Sequence, residues 1–317
     1  MEKEELRLLC KPLMELNSIE NCQLLLEKYI DFIFAVIRKH HYENVDTQAK
    51  ADSKIIFQMF FTKAINIRKT LEGLEYDNGK YKLNGIIDPT ILYALVRSVF
   101  EALCAFELVY MIPDTEDKKR IMYNLYKLSG LKYRQRFNDS SATPDMQKKY
   151  NAELAEINES IDIIKNTALY RTLSLKNKEK IDRAIKDKSY QLMIDSSNKV
   201  KLYGWGDVPA LFGAQHSLLK NAYTLFSLNA HPSYVSMFQF RDMFPKNNPE
   251  YIQISLSAMY YCFVFFSIFI ADYIKLFPTV RDTYASLSNV DQILLNFHNK
   301  LIRGENYSIS DVWKKIE

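Results

Sequence analysis

Two polar pairs stand inside segments that otherwise read as helix core. Arg97 and Glu101 lie in ILYALVRSVFEALCAFELVYMI, and Ser227 and His231 lie in YTLFSLNAHPS. Each pair is spaced i, i+4, which puts its two side chains on one face of one helical turn. A charge or an imidazole among apolar neighbours costs free energy unless it is paired. Each pair must therefore be compensated by its own members, by the other pair or by a ligand. In a functional reading Arg97 grips a phosphate or carboxylate while Glu101 orients it. His231 then moves a proton, with Ser227 holding its other ring nitrogen. The alternatives are a structural ion pair that fixes helix register and a satisfied core histidine at a helix C-terminus, where the dipole favours its charge. If the two pairs meet, Arg97, Glu101, Ser227 and His231 form one polar pocket between neighbouring helices.

A second constellation is the basic, tyrosine-bearing stretch MYNLYKLSGLKYRQRF, residues 122–137. Lys127, Lys132, Tyr133, Arg134 and Arg136 are its candidate nucleic-acid contacts, since aromatic rings stack on bases while cations hold phosphates. The same pattern also describes an ordinary amphipathic helix with solvated cations. A net charge of +4 on 317 residues does not by itself mark a nucleic-acid binder. There is no P-loop, no G-x-G-x-x-G, no H-E-x-x-H, no G-x-S-x-G and no paired C-x-x-C. Five histidines and four scattered cysteines suggest no metal site and no bound cofactor. His40-His41 reads as a helix-end interaction rather than a metal site.

The elements that position these residues are helical. With 8 Gly, 9 Pro and 48% hydrophobic residues, the chain has the composition of long helices with short connections. The 3.6-residue period predicts helices over 2–16, 19–42 and 47–73. EYDNGKYKLNG then breaks the pattern, and Asn78-Gly79 fits a small hairpin or a loop. Asp88-Pro89 caps the next helix, which runs to about 112 and is apolar on almost every face. Thr115 starts the basic helix with Glu116 and Asp117 at its positive end. NDSSATPD reads as a loop, and Thr143-Pro144 caps a polar helix to about 173, followed by a charged helix over 176–188. KLYGWGDVPALFG is irregular. Helices resume over 214–230, Pro232 stops the chain after His231, and long helices follow over 249–276 and 281–302. Ser310 would cap a short last one. The fold class is an all-α, multi-helix bundle with long central apolar helices and a projecting charged helical hairpin. It reads as a single helical domain, 1–317, with N-terminal helices over 1–75, a core bundle over 85–137 and 214–302, and a polar insertion over 138–200.

Residues 251–271, YIQISLSAMYYCFVFFSIFIA, carry no charge and reach the length of a membrane span. Polar residues dilute the run and no Lys/Arg cluster flanks one side, so it reads as a core helix rather than a span. The charged N-terminus shows no secretory signal, and the cysteine pattern fits a reduced, cytoplasmic protein.

RSVFE at 97–101, SLNAHPS at 227–233 and YKLSGLKYRQRF at 126–137 together resemble a family of uncharacterised bacterial helical proteins akin to the HEPN bundles. The resemblance covers about residues 85–275. It implies a binding or regulatory component of a phage-defence or stress assembly, with a protein partner, RNA or a second copy of the chain as associates. It also implies, as the alternative, a divergent metal-independent endoribonuclease. Active HEPN ribonucleases carry an Arg four to six residues before a His, and none of the five histidines here has one. Only Arg97 and His231, brought together from different helices, would replace that motif. A membrane-associated helical protein using 251–271 is the third reading.

Overall fold

The computed structural model describes residues 2–138, 142–242 and 250–317, with the backbone alone for Asn84, His216 and Ser217. The chain is all-α and 74% helical. Among the described residues, strand occurs as two short antiparallel hairpins. The chain forms two compact units: residues 1–103 with 213–317, and residues 104–212. The polar segment 138–200 falls within the second unit. Residues 104–137, expected in the core bundle, belong to the second unit as well.

In chain order the elements are α1 (Lys3–Glu15), α2 (Ile19–His40), α3 (Gln48–Thr70), the hairpin β1 (Leu74–Asp77) and β2 (Lys82–Ile86), and α4 (Pro89–Phe106). A π-helical turn, Glu107–Met111, follows α4. Then come α5 (Glu116–Arg134), α6 (Pro144–Asn166), α7 (Ala168–Thr172), α8 (Leu175–Asp187), β3 (Leu192–Ile194) and β4 (Val200–Leu202). After a 3-10 turn at Val208–Phe212 the chain continues with α9 (His216–Leu219), α10 (Ala222–Ala230), α11 (Tyr234–Asp242), α12 (Glu250–Leu276), α13 (Val280–Ala285) and α14 (Asn289–Arg303).

Side-chain caps set most helix starts. Ser18, Thr47, Thr115 and Thr143 each accept a hydrogen bond from the backbone N–H three residues on, and the Asp88 carboxylate accepts from Thr90 N–H at 2.8 Å. Such caps are worth about 1 kcal/mol each. Between β1 and β2, Gly79 has φ +78°, a left-handed geometry that glycine adopts at no steric cost.

Several expected boundaries move, each for a local reason. The helix predicted to reach 173 stops at Asn166, because Thr167 turns extended and its hydroxyl caps α7 through Tyr170 N–H. The helix predicted over 281–302 divides into α13 and α14, with Ser288 capping the second. Part of the irregular stretch after 199 is β4, paired with β3 through a turn built on Asp195. Helix α11 was not expected after Pro232; Ser233 starts it, its hydroxyl accepting from Ser236 N–H at 3.1 Å. The last turn, Val312–Lys315, has no side-chain cap, so Ser310 does not play that part. The predicted loop NDSSATPD lies partly outside the described residues, at 139–141.

The first unit is organised on α12, which is buried at almost every position from Ser255 to Ile274. Its rings stack on those of α2 and α3: Phe269 lies 3.6 Å from Phe60, and Phe263 lies 5.7 Å from Tyr29 between centroids. Ser267 joins α12 to α14, its hydroxyl donating to the Leu295 carbonyl at 2.6 Å and accepting from Asn299 N–H at 2.9 Å. Helix α12 is long and apolar enough to cross a membrane, yet 78% of its most apolar window is buried inside the protein. In the second unit α5 packs along α6. Helix α6 contributes Tyr150, Glu153, Ile157, Ser160 and Ile164. That alternating spacing of three and four gives a narrow seam, which is why the segment reads as polar.

Candidate functional site

Helix α4 carries Arg97 on the face that looks towards α10, and α10 ends at His231. The helix must end there, because Pro232 has no N–H and disfavours helical geometry in the residue before it. His231 accordingly takes an extended backbone, φ −104° and ψ 154°. Its carbonyl accepts from the Ser236 hydroxyl at 2.7 Å, which fixes the exit of the chain. A bed of rings lies under this corner: the buried Phe226 lies 5.9 Å from Phe100, 5.8 Å from Phe265 and 5.4 Å from the half-buried Tyr261.

One member of the second pair, His231, meets the first pair at Arg97. Arg97 donates from Nε to Glu101 Oε1 at 2.9 Å and from Nη1 to His231 Nε2 at 2.9 Å. Its Nη2 donates to the Tyr223 hydroxyl at 2.9 Å, and its guanidinium carbon lies 4.9 Å from the Tyr223 ring centroid. A guanidinium only donates, so His231 Nε2 must present its lone pair, which places the imidazole proton on Nδ1. Three of the five guanidinium N–H groups are used in this way. The remaining two have no acceptor among the described residues. The Arg97 side chain is 22% exposed and that of Glu101 37%, so the centre is open to solvent. His231 also lines a pocket of about 320 Å³ with Thr90, Pro232, Ser236, Met237 and Phe240.

Ser227 does not join the centre as expected. Its carbonyl accepts from His231 N–H, while its hydroxyl is buried without a hydrogen-bond partner among the described residues. One helical turn separates Ser227 from His231, but the extended backbone at His231 swings the imidazole off the helix face. Tyr223 takes the place Ser227 was expected to fill, and Lys63 of α3 is a further member. The Lys63 ammonium donates to the Ser98 hydroxyl. Its pKa is lowered by burial, against which the Glu101 carboxylate acts to raise it. Tyr223 reaches Arg97 from another helix, 126 residues away, so no local spacing marked it. Lys63 comes from a distant helix and left no such signal either.

The candidate nucleic-acid residues lie in the second unit, and the structure ties up several of them. Lys127 pairs with Glu156 at 3.1 Å. Arg134 grips both carboxylate oxygens of Glu153, a nearly buried residue of α6. Lys132 donates to the Ile185 carbonyl at 2.6 Å, and burial followed by the Lys188 charge lowers its pKa. Tyr133 and Arg136 stay exposed, the guanidinium 4.9 Å from the ring centroid. These five residues are therefore not one open cationic stripe. His40 is held by Thr283 and Glu43, both at 2.7 Å. No group of three or more potential metal ligands occurs among the described residues.

Compared with known proteins, the chain matches no protein-family model, no curated protein and no solved structure.

Proposed function

We propose that the protein is a HEPN-like helical binding or regulatory component, acting in the cytoplasm in a bacterial defence or stress assembly, and that its Arg97 centre receives an anionic group. One observation carries the binding role: a guanidinium held in place at all three nitrogens, solvent-accessible, with two N–H groups left to donate. A fixed fork of this kind suits a phosphate or carboxylate, which accepts two parallel hydrogen bonds. Lys63 adds a second cation beside it, and Glu101 sets the orientation of the fork. The place in a defence assembly, with a partner protein or a second copy of the chain, rests on the resemblance of RSVFE, SLNAHPS and YKLSGLKYRQRF alone.

The test is thermal unfolding with pyrophosphate as the probe. The wild type should rise in Tm with probe concentration, as any ligand that binds only the folded state requires. Arg97→Ala should lose the rise, and Arg97→Lys should keep only a small part of it. An equal rise in all three proteins would refute the assignment.

A second reading, a metal-independent endoribonuclease acting on RNA, is favoured by the 2.9 Å contact between Arg97 Nη1 and His231 Nε2. Arg97 would stabilise charge developing on a phosphate and His231 would move a proton. For that, Nε2 must first exchange Arg97 for substrate. Cleavage of a single-stranded RNA that disappears in both Arg97→Ala and His231→Ala would support this reading. Cleavage unchanged in both would eliminate it.

A further inference from the structure

A cleft of about 810 Å³ runs along α5 in the second unit, lined also by Glu156, by Asp187–Gln191 and by Trp205. We propose that this cleft binds a nucleoside phosphate, its base against Tyr190 and Trp205 and its phosphate on Lys188. The site is separate from the Arg97 centre and does not rest on that reading.

Aromatic rings line one part of the cleft. Tyr190 stands edge-on to both Tyr126 and Trp205, at 5.1 and 6.3 Å between centroids. Half-buried rings at a cleft wall suit a planar base, which stacks on aromatic faces without regard to sequence. Cations line another part. Lys127 is paired with Glu156, but Lys188 has no carboxylate within salt-bridge distance among the described residues; its ammonium lies 5.3 Å from the Tyr133 ring centroid. Glu156 and Asp187 at the rim can accept hydrogen bonds from a base amino group or ribose hydroxyls. The volume falls in the range of small-ligand sites.

Two backbone features keep the cleft as it is. Gly130, in the interior of α5, lines it, and a Cβ built there meets nothing within 4 Å. Glycine is unfavourable within a helix, so a larger residue at this point would gain helix stability and project into the cavity. Lys188 ends α8 with φ +59°, a left-handed conformation that glycine adopts more readily. Its side chain lines the cleft.

The test uses the full chain carrying Trp313→Phe, so that Trp205 is its one indole. Adenosine, inorganic phosphate, AMP and a single-stranded hexa-adenylate are titrated and indole quenching is followed. AMP should quench saturably, and adenosine and phosphate should each bind at least about tenfold more weakly. Gly130→Phe, which fills the cleft, should abolish quenching. Lys188→Gly, which relieves the left-handed strain and so preserves the fold, should weaken AMP about tenfold. Arg97→Lys, which alters the other proposed anion site, should leave the AMP quenching of Trp205 as it is in the wild type. Hexa-adenylate binding about tenfold tighter than AMP would identify the base as part of a strand, and equal or weaker binding would identify a free nucleotide. Either fits the proposal. No saturable quenching by AMP or hexa-adenylate, phosphate binding as tightly as AMP, or unchanged affinity in both cleft variants would overturn it.

Discussion

His298 of α14 should make the protein lose stability as pH falls through the histidine range. The imidazole is fully buried, and neither ring nitrogen has a hydrogen-bond partner among the described residues. Its ring packs against Tyr260, Phe263 and Phe297, with centroids 5.7, 5.9 and 5.0 Å away. Burial therefore holds it neutral and pushes its pKa from 6.5 down to about 3. Because the folded pKa is depressed, the unfolded chain binds the proton first. The stability that follows is fully present above pH 6.5 and is lost as pH falls towards 3. At pH 4 this linkage removes about 3 kcal/mol, and about 5 kcal/mol once both states are protonated. The assay is urea unfolding between pH 8 and pH 4 for the wild type and for His298→Phe, with His298→Leu as a second variant. Acidic groups titrate in both proteins, so the difference between them isolates this histidine. The variants should be as stable as the wild type or more so at pH 8, because an unpartnered buried polar group is replaced by an apolar one. The wild-type curve should fall away from theirs below pH 6. Parallel curves down to pH 4 would refute the burial argument and would mean that water or a polar group reaches the ring.

Three further outcomes follow from the same structure. Arg303 and Asp272 form a nearly buried pair, with Nη1 to Oδ2 at 2.7 Å and Nη2 to Oδ1 at 3.2 Å; Asp272→Asn should cost roughly 3–5 kcal/mol in urea unfolding, and Asp272→Leu with Arg303→Met should cost less, since no charge is left buried alone. Ser227→Ala should leave the protein as stable as the wild type or raise its stability by about 1 kcal/mol in urea unfolding, because its buried hydroxyl has no hydrogen-bond partner among the described residues. The buried thiols of Cys10 and Cys22 are pushed up to about 11 and about 12 by burial first of all, so thiol labelling at pH 8 should be slow in the folded protein and rapid in urea.

The helices were legible because their periods and caps are local properties. Thr47, Thr115 and Thr143 act on backbone groups three residues away, and sequence spacing reports them directly. The breaks at Thr167 and at Ser286–Ser288 were hidden because the apolar period continues across them while a hydroxyl restarts the helix. The hairpin of β3 and β4 was missed because three-residue strands are too short to establish alternation. At the candidate site, the meeting of Arg97 with His231 was legible from cost: two polar groups in apolar helices need partners. The role expected of Ser227 failed, since i, i+4 spacing places two side chains together only while both residues remain helical, and Pro232 ends that geometry at His231. Cross-helix pairs are invisible to local spacing. Glu153 and Glu156 lie 19 and 29 residues from the Arg134 and Lys127 they neutralise, and so a segment that reads as a basic stripe is largely compensated.

The most direct test of the Arg97 centre is a calorimetric titration of pyrophosphate into the full chain, compared with Arg97→Lys and Gly130→Phe. Binding at one site per chain in the wild type, retained in Gly130→Phe and weakened at least about tenfold in Arg97→Lys, is the expected result. Binding of equal strength in Arg97→Lys and the wild type, or no heat in any of the three, would contradict the assignment of this centre as an anion receptor.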